Sequence, residues 1–314
     1  MRIAIFGSGG VGGYFGGRLA QSGEDVVFIA RGAHLHALRE RGLRVSSISG
    51  DFTVRPVHAT DDPATVGPVD AVLLAVKAWQ IPEAARAMHP LIGPETFVVP
   101  LENGVEAPEE LAAVLGAGHV LGGLCRILAY VTGPGEIRHA AVEPYLAFGE
   151  LDGTRSERAE ALRRAFARTT GVTVEIPADI RAAMWSKFLF ITPVSGLGAL
   201  TRVPIGILRT TRETRQLLVE ALSEIVPLAA AVGVVLPGDA VEQTLAFTDG
   251  IPADGTTSMQ RDIMEGRPSE LDAQVGAVVR LGTRARVAVP VHRFMYAALL
   301  PLERRIRGEN GIAP

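Results

Sequence analysis

Lysine and asparagine are nearly missing from this chain of 314 residues. Of its 31 basic residues only Lys77 and Lys187 are lysine, which leaves 29 arginines, and asparagine occurs only as Asn103 and Asn310. A composition that has drifted from lysine to arginine everywhere else suggests two places where arginine does not serve. Cysteine is reduced to Cys125, which excludes an internal disulfide and a Cys-rich metal site and fits a reducing cytoplasm. There is no excess of positive charge: a net charge of −3 argues against a nucleic-acid surface or a polybasic membrane surface. No secretion signal is expected, because Arg2 is followed by only a short apolar run, residues 3–6, before Gly7. The most apolar later stretch, residues 226–236, falls short of the roughly 20 residues a bilayer span requires. The chain therefore reads as a cytoplasmic protein without nucleic-acid or membrane partners. Its oligomeric state stays open, a homodimer included.

What is present is ample apolar material: 47% hydrophobic against 21% charged residues, enough to bury two cores in a chain whose length suggests roughly two domains of about 150 residues each. In the first half, strand-like segments (2–6, 26–30, 71–76, 97–99, 120–128) alternate with helix-like ones (11–21, 34–41, 81–88), the pattern of a mainly parallel sheet covered by helices. Residues 45–47 and 52–57 flank Ser49-Gly50-Asp51 as a hairpin insertion. After Gly133-Pro134-Gly135 the chain returns as short strands, 136–139 and 145–148, and a helix (156–169) and strand (172–176) follow. Pro177-Ala178-Asp179 marks the boundary, since Pro stops the strand and Asp179 can cap the next helix. Beyond it only helices are legible: 180–190, 212–232, 240–246, 269–281 and 291–306, with residues 308–314 a loose end. The expected architecture is an α/β dinucleotide-binding (Rossmann-like) domain, residues 1–177, followed by an all-α domain, residues 178–314.

Gly7-Ser8-Gly9-Gly10-Val11-Gly12 follows the first strand and opens the first helix. Gly7 allows the tight turn, Gly9 the close approach of backbone to a pyrophosphate, and Gly12 the packing of helix on strand, while the amides of the helix N-terminus favour phosphate. The second strand ends not in the Asp or Glu that holds a free ribose diol but in Arg31. A guanidinium suits a 2′-phosphate, so the expected cofactor is NADP(H). The plain alternative for Arg31 is a solvated surface arginine.

Lys77 follows an apolar run and stands at the carboxyl end of a central strand, the edge at which ligands bind. Lys187 falls on the apolar stripe marked by residues 180, 184, 188 and 191 of one helix. A lysine shielded from water in this way can approach neutrality and donate a proton, which the permanently charged guanidinium cannot do.

These residues resemble the ketopantoate reductase family (2-dehydropantoate 2-reductase), nearly end to end. The resemblance is carried by the glycine loop, by Val76-Lys77-Ala78, by Leu101-Glu102-Asn103-Gly104-Val105, by Pro134-Gly135-Glu136-Ile137 with His139, and by Trp185-Ser186-Lys187-Phe188. It continues in Ser258-Met259-Gln260-Arg261-Asp262 and in Gly266-Arg267-Pro268-Ser269-Glu270-Leu271-Asp272. It implies NADPH-dependent reduction of a 2-oxo acid to a 2-hydroxy acid, ketopantoate to pantoate in pantothenate and coenzyme A biosynthesis. Lys187 would protonate the developing alkoxide, with Asn103 and Glu270 beside it as catalytic and cofactor-side groups. Ser258 would bind the carboxylate, Glu270 would accept a hydrogen bond from a substrate hydroxyl, and Lys77 would contact both cofactor and reacting carbonyl.

Each assignment has a plainer counterpart. Asn103-Gly104 is also a common turn pair, Ser258 a loop or capping serine, and Glu270 an acid in the first turn of a helix with a Ser269…Asp272 capping box. One departure stands out. Family members usually carry asparagines one and two turns after the lysine, where this chain has Ile191 and Ser195. Ser195 keeps a donor and an acceptor as a substrate-binding group, whereas Ile191 keeps neither. A reductase of a different branched or aromatic 2-oxo acid is therefore the first alternative, and a non-catalytic NADP-binding sensor the second.

Overall fold

The computed structural model describes residues 1–309, so Asn310 and most of the expected loose end lie outside the described residues. Contacts divide the chain into two compact units: Met1–Glu102 with Ala107–Ala183, and Asn103–Glu106 with Met184 onward. The sequence reading divides the chain after residue 177; the contacts divide it within the helix that Asp179 caps, Asp179 Oδ1 accepting from Ala182 N at 2.9 Å.

The first unit runs β1 (Arg2–Phe6), α1 (Gly10–Gln21), β2 (Asp25–Ile29), α2 (Gly32–Arg41), β3 (Leu43–Ser47), β4 (Phe52–Val54), β5 (His58–Thr60), β6 (Ala71–Leu74), α3 (Ile81–Ala87), β7 (Phe97–Pro100), α4 (Ala107–Leu115), β8 (Gly122–Gly133), β9 (Glu136–Gly149), α5 (Glu157–Ala167) and β10 (Thr173–Glu175). Five strands form an all-parallel sheet in the order β5-β2-β1-β6-β7. Beyond the exposed Arg2 that opens β1, its central strands are apolar and buried, as a sheet covered on both faces requires. The second sheet runs β10-β9-β3-β4, with β8 antiparallel to β9.

Helix α1 lies between the two sheets, and this accounts for its glycines. A Cβ on Gly16 would meet Ile5 and Phe28 of the first sheet within 3 Å, while one on Gly17 would meet Leu43 and Phe52 of the second at 2.9 Å. Gly is costly in a helix, up to about 1 kcal/mol relative to Ala. Here it lets the backbone approach both layers, and the fully buried Tyr14, Phe15 and Leu19 on the same helix each contribute roughly 1.5–3 kcal/mol of burial.

Two local readings are corrected. The expected pair of short strands, 136–139 and 145–148, is one strand, β9, whose pairing with β8 shifts register between Arg126 and Ala129; Val142 takes up the irregularity with φ +67°. The hairpin of β3 and β4 is present, but β3 also pairs in parallel with β9, so it belongs to the second sheet and is not an insertion.

The second unit is helical throughout among the described residues: the greater part of α6 (Ile180–Thr201), then α7 (Ile205–Thr210), α8 (Arg212–Ala231), α9 (Ala240–Gly250), α10 (Ser258–Met264), a π-helical segment (Asp272–Gly276) leading into α11 (Ala277–Ala285), and α12 (Pro290–Arg307). Helix α6 continues past Phe190, where the sequence expectation ends, and through Pro193. By length and composition α6 could cross a membrane, which residues 226–236 could not. Yet 67% of its apolar window is buried in the fold, as in a core helix. Leu218, Leu222, Ile225 and Leu228 of α8, Val275, Val278 and Met295 are all buried at 0% exposure and build the core. Glu224 of α8 caps α12 from inside it, accepting from Val291 N at 2.6 Å, His292 N at 3.1 Å and His292 Nδ1 at 2.6 Å.

Candidate active site

In the first unit the glycine loop leaves β1 where the strand order reverses, the edge of an open α/β sheet that holds ligands. Gly7 has φ +100°, and a Cβ there would stand 2.6 Å from Ala75 O, so only glycine makes this turn. At Gly9 the opposite holds: a Cβ would meet nothing within 4 Å, leaving room above the backbone. Helix α1 begins there with no side-chain cap and no acid in its first turn, so its N-terminal amides are available to a phosphate. Ser8 is buried, and its hydroxyl ties the loop to β2 by donating to Ile29 O at 3.0 Å. Gly10, Val11 and Gly12 form the first turn of the helix. The loop as a whole fits the pyrophosphate of a dinucleotide.

Arg31 is the N-cap residue of α2, with its side chain 67% exposed and its guanidinium 3.2 Å from Glu83 Oε1 on α3. His34, in the first turn of α2, escaped the sequence reading. Its Nδ1 accepts from Gly135 N at 3.1 Å, which places the proton of the neutral ring on the buried Nε2. Burial pushes its pKa below the ordinary histidine value, against the opposing pull of the Ser8 backbone. The nearest sequence signal was its place one helical turn after Arg31. Lys77 lies just beyond β6, half-buried; its backbone N–H donates to Gln80 Oε1 at 3.1 Å, and its Nζ is 5.8 Å from the centre of the Trp79 ring. β6 ends two residues earlier than the sequence suggests because Val76 N leaves the ladder and donates to the Glu102 carboxylate at 3.1 Å.

In the second unit the turn Asn103–Glu106 lies on the π-helical segment. Gly104, at φ +119°, allows the approach, since a Cβ there would be 2.9 Å from Ala273 O. Asn103 Nδ2 donates to Glu270 Oε2 at 3.0 Å, and Glu270 is only 6% exposed. Glu106 anchors the other end of the turn through Arg280 at 2.6 Å and Arg284 at 3.2 Å. The expected Ser269…Asp272 capping box does not form. Ser269 Oγ donates to Glu303 Oε2 at 2.6 Å, and Asp272 is held by Arg280 and the Tyr296 hydroxyl, both at 2.8 Å. Glu270 is thus outside a regular first turn, and its carboxylate accepts from Asn103.

Lys187 is half-buried on α6; Ile180, Met184 and Phe188 of the same stripe are buried. Two turns on, Ser195 is fully buried with its hydroxyl unpartnered, as is Thr192, which sequence reasoning did not single out. Ser258 is the half-buried first residue of α10, and the cap itself is Thr257, whose hydroxyl accepts from Gln260 N at 3.2 Å. Among the described residues the Ser195 hydroxyl meets neither member of the Asn103–Glu270 pair.

Comparison with known proteins gives the family. The family profile "Ketopantoate reductase PanE/ApbA" matches residues 3–153, and its companion, "Ketopantoate reductase PanE/ApbA C terminal", matches residues 179–303. An uncharacterised oxidoreductase of Bacillus subtilis is 32% identical over 301 residues, covering 95% of this chain and 98% of its own. A 2-dehydropantoate 2-reductase of Mesorhizobium japonicum is 32% identical over 332 residues, covering 99% of each chain. The crystal structure of a PanE/ApbA family ketopantoate reductase from Ralstonia eutropha superposes with a TM-score of 0.88 at 31% identity, over 98% of this chain and all of that one.

Proposed function

The chain belongs to the ketopantoate reductase family, oxidoreductases acting on CH–OH groups, and on that premise we propose that it reduces a 2-oxo acid to the 2-hydroxy acid with NADPH, ketopantoate being the first substrate to test. The observation that carries the reading is the hydrogen bond from Asn103 to the buried Glu270, which makes one polar unit of two residues far apart in the chain.

NADPH supplies the hydride when bound. The glycine loop, with Ser8 and the first turn of α1, holds its pyrophosphate, and Arg31 reads the 2′-phosphate by exchanging Glu83 for it. Lys77 is the cofactor-side cation near the reacting carbonyl. Lys187 donates the proton to the oxygen of that carbonyl as negative charge develops on it; a positive donor there stabilises the charge as well as quenching it. Asn103 and Glu270 orient substrate and lysine, Ser258 binds the carboxylate, and Ser195 offers its buried hydroxyl to the substrate.

A second reading is favoured by α6 itself: Ile191 is half-buried and apolar, and Ser195 and Thr192 are buried and small. These residues suit a branched or aromatic 2-oxo acid other than ketopantoate. Following NADPH consumption with a panel of 2-oxo acids separates the readings. Turnover of ketopantoate supports the first, good turnover of another oxo acid alone supports the second, and tight NADPH binding with no turnover of any oxo acid overturns both.

A further inference from the structure

Gln274 has no place in the assignments above, yet it is the buried side chain most closely joined to them. It is 0% exposed and lies within the π-helical segment Asp272–Gly276. The segment is real in its backbone bonding: Gln274 N donates to Glu270 O at 3.0 Å, while Gly276 N reaches back five residues to Leu271 O at 2.9 Å. Such a one-turn expansion costs regular bonding and recurs at functional positions, where it re-aims a side chain. Here Gln274 Nε2 stands 3.5 Å from Glu270 Oε2, the same oxygen that accepts from Asn103. Its Oε1 is buried without a partner among the described residues. A glutamine placed only to fill space would leave an acceptor unsatisfied at a cost that an apolar side chain of equal volume avoids.

We propose that Gln274 is a positioning residue for Glu270: with Asn103 it holds the carboxylate in one orientation, and it leaves its own amide oxygen as an acceptor for a donor group of the substrate. Charged groups on the same elements pair with one another, Glu106 and Asp272 with Arg280 and Glu303 with Arg307, and the two amides meet Glu270 beside them. This role rests on the reading of Glu270 as a substrate-holding carboxylate.

Two variants of the full chain test it. Gln274→Met keeps the volume and removes the donor; kcat for the best oxo acid of the panel should fall about tenfold while NADPH affinity and Tm stay close to those of the parent. Gln274→Glu sets a second carboxylate against the first, so its activity should fall further at pH 8 and recover toward pH 6, where one carboxyl of the pair carries a proton and donates it to the other. A Met variant with parental kcat and KM, or a Glu variant whose loss is the same at both pH values, overturns the proposal. A measurement without turnover separates this failure from that of the functional reading. The Glu270 carboxyl carbon, followed by 13C NMR at neutral pH, should give one sharp signal in the parent and a displaced or broadened one in Gln274→Met. An unchanged signal overturns the positioning role even in an active enzyme. A changed signal in a chain that reduces no oxo acid keeps it and overturns the functional reading alone.

Discussion

Asn103 donates to Glu270 across 167 residues of sequence, at 3.0 Å and with the carboxylate buried. A double-mutant cycle of Asn103→Ala and Glu270→Ala, read in kcat/KM, should show a coupling of about 1.5–3 kcal/mol, the range for a hydrogen bond to a charged group. Strictly additive losses would mean that the two residues act apart.

Lys187→Ala should lower kcat by at least ~10²-fold while leaving NADPH binding nearly intact, the size expected for loss of a general acid. Lys187→Arg should not restore the rate, because a guanidinium holds its proton. Stopped-flow turnover beside a fluorescence titration of NADPH checks both halves, and an active arginine variant would remove proton donation from the role of this lysine.

Arg31 and Glu83 form an exposed ion pair, worth little by itself, whose carboxylate would compete with a 2′-phosphate for the guanidinium. Arg31→Ala should weaken NADPH far more than NADH. Glu83→Gln should act in the opposite sense, raising NADPH affinity about two- to fivefold with little change for NADH. Equal effects on the two cofactors would show that neither residue reads the phosphate.

His34 makes stability depend on pH. Its folded pKa lies below the unfolded value near 6.5, so the unfolded chain binds the extra proton first as the pH drops. Its contribution is therefore complete above about pH 6.5 and is lost as the pH falls below that value. The urea midpoint should drop more steeply between pH 7 and 5 in the parent than in His34→Gln; parallel curves would exclude His34 as the source.

The legible part of the candidate site was the part written in short-range chemistry. A glycine loop in register between a strand and a helix, and lysines left in an arginine-rich chain, can each be recognised within a few residues. Gln274 could not be found this way, since nothing in Asp272-Ala273-Gln274 predicts a π-helical turn or the approach of residue 103 to it. His34 was hidden for a similar reason: its partners, Gly135 and the Ser8 backbone, come from distant elements. The capping box at Ser269 failed because Glu303, far along the chain, outcompetes a local partner for the same hydroxyl.

By itself the sequence determined the two-part architecture, the parallel sheet and the glycine turn, because hydrophobic period, turn residues and steric limits on φ act locally. Tertiary structure alone decided that the glycines of α1 face two sheets, that Glu102 ends β6 early, and that Asn103 and Gln274 meet at one oxygen of Glu270. Those outcomes depend on which buried polar atoms meet once both cores have packed. A buried carboxylate must find its donors wherever the fold brings them, and no local pattern in the chain records where that is.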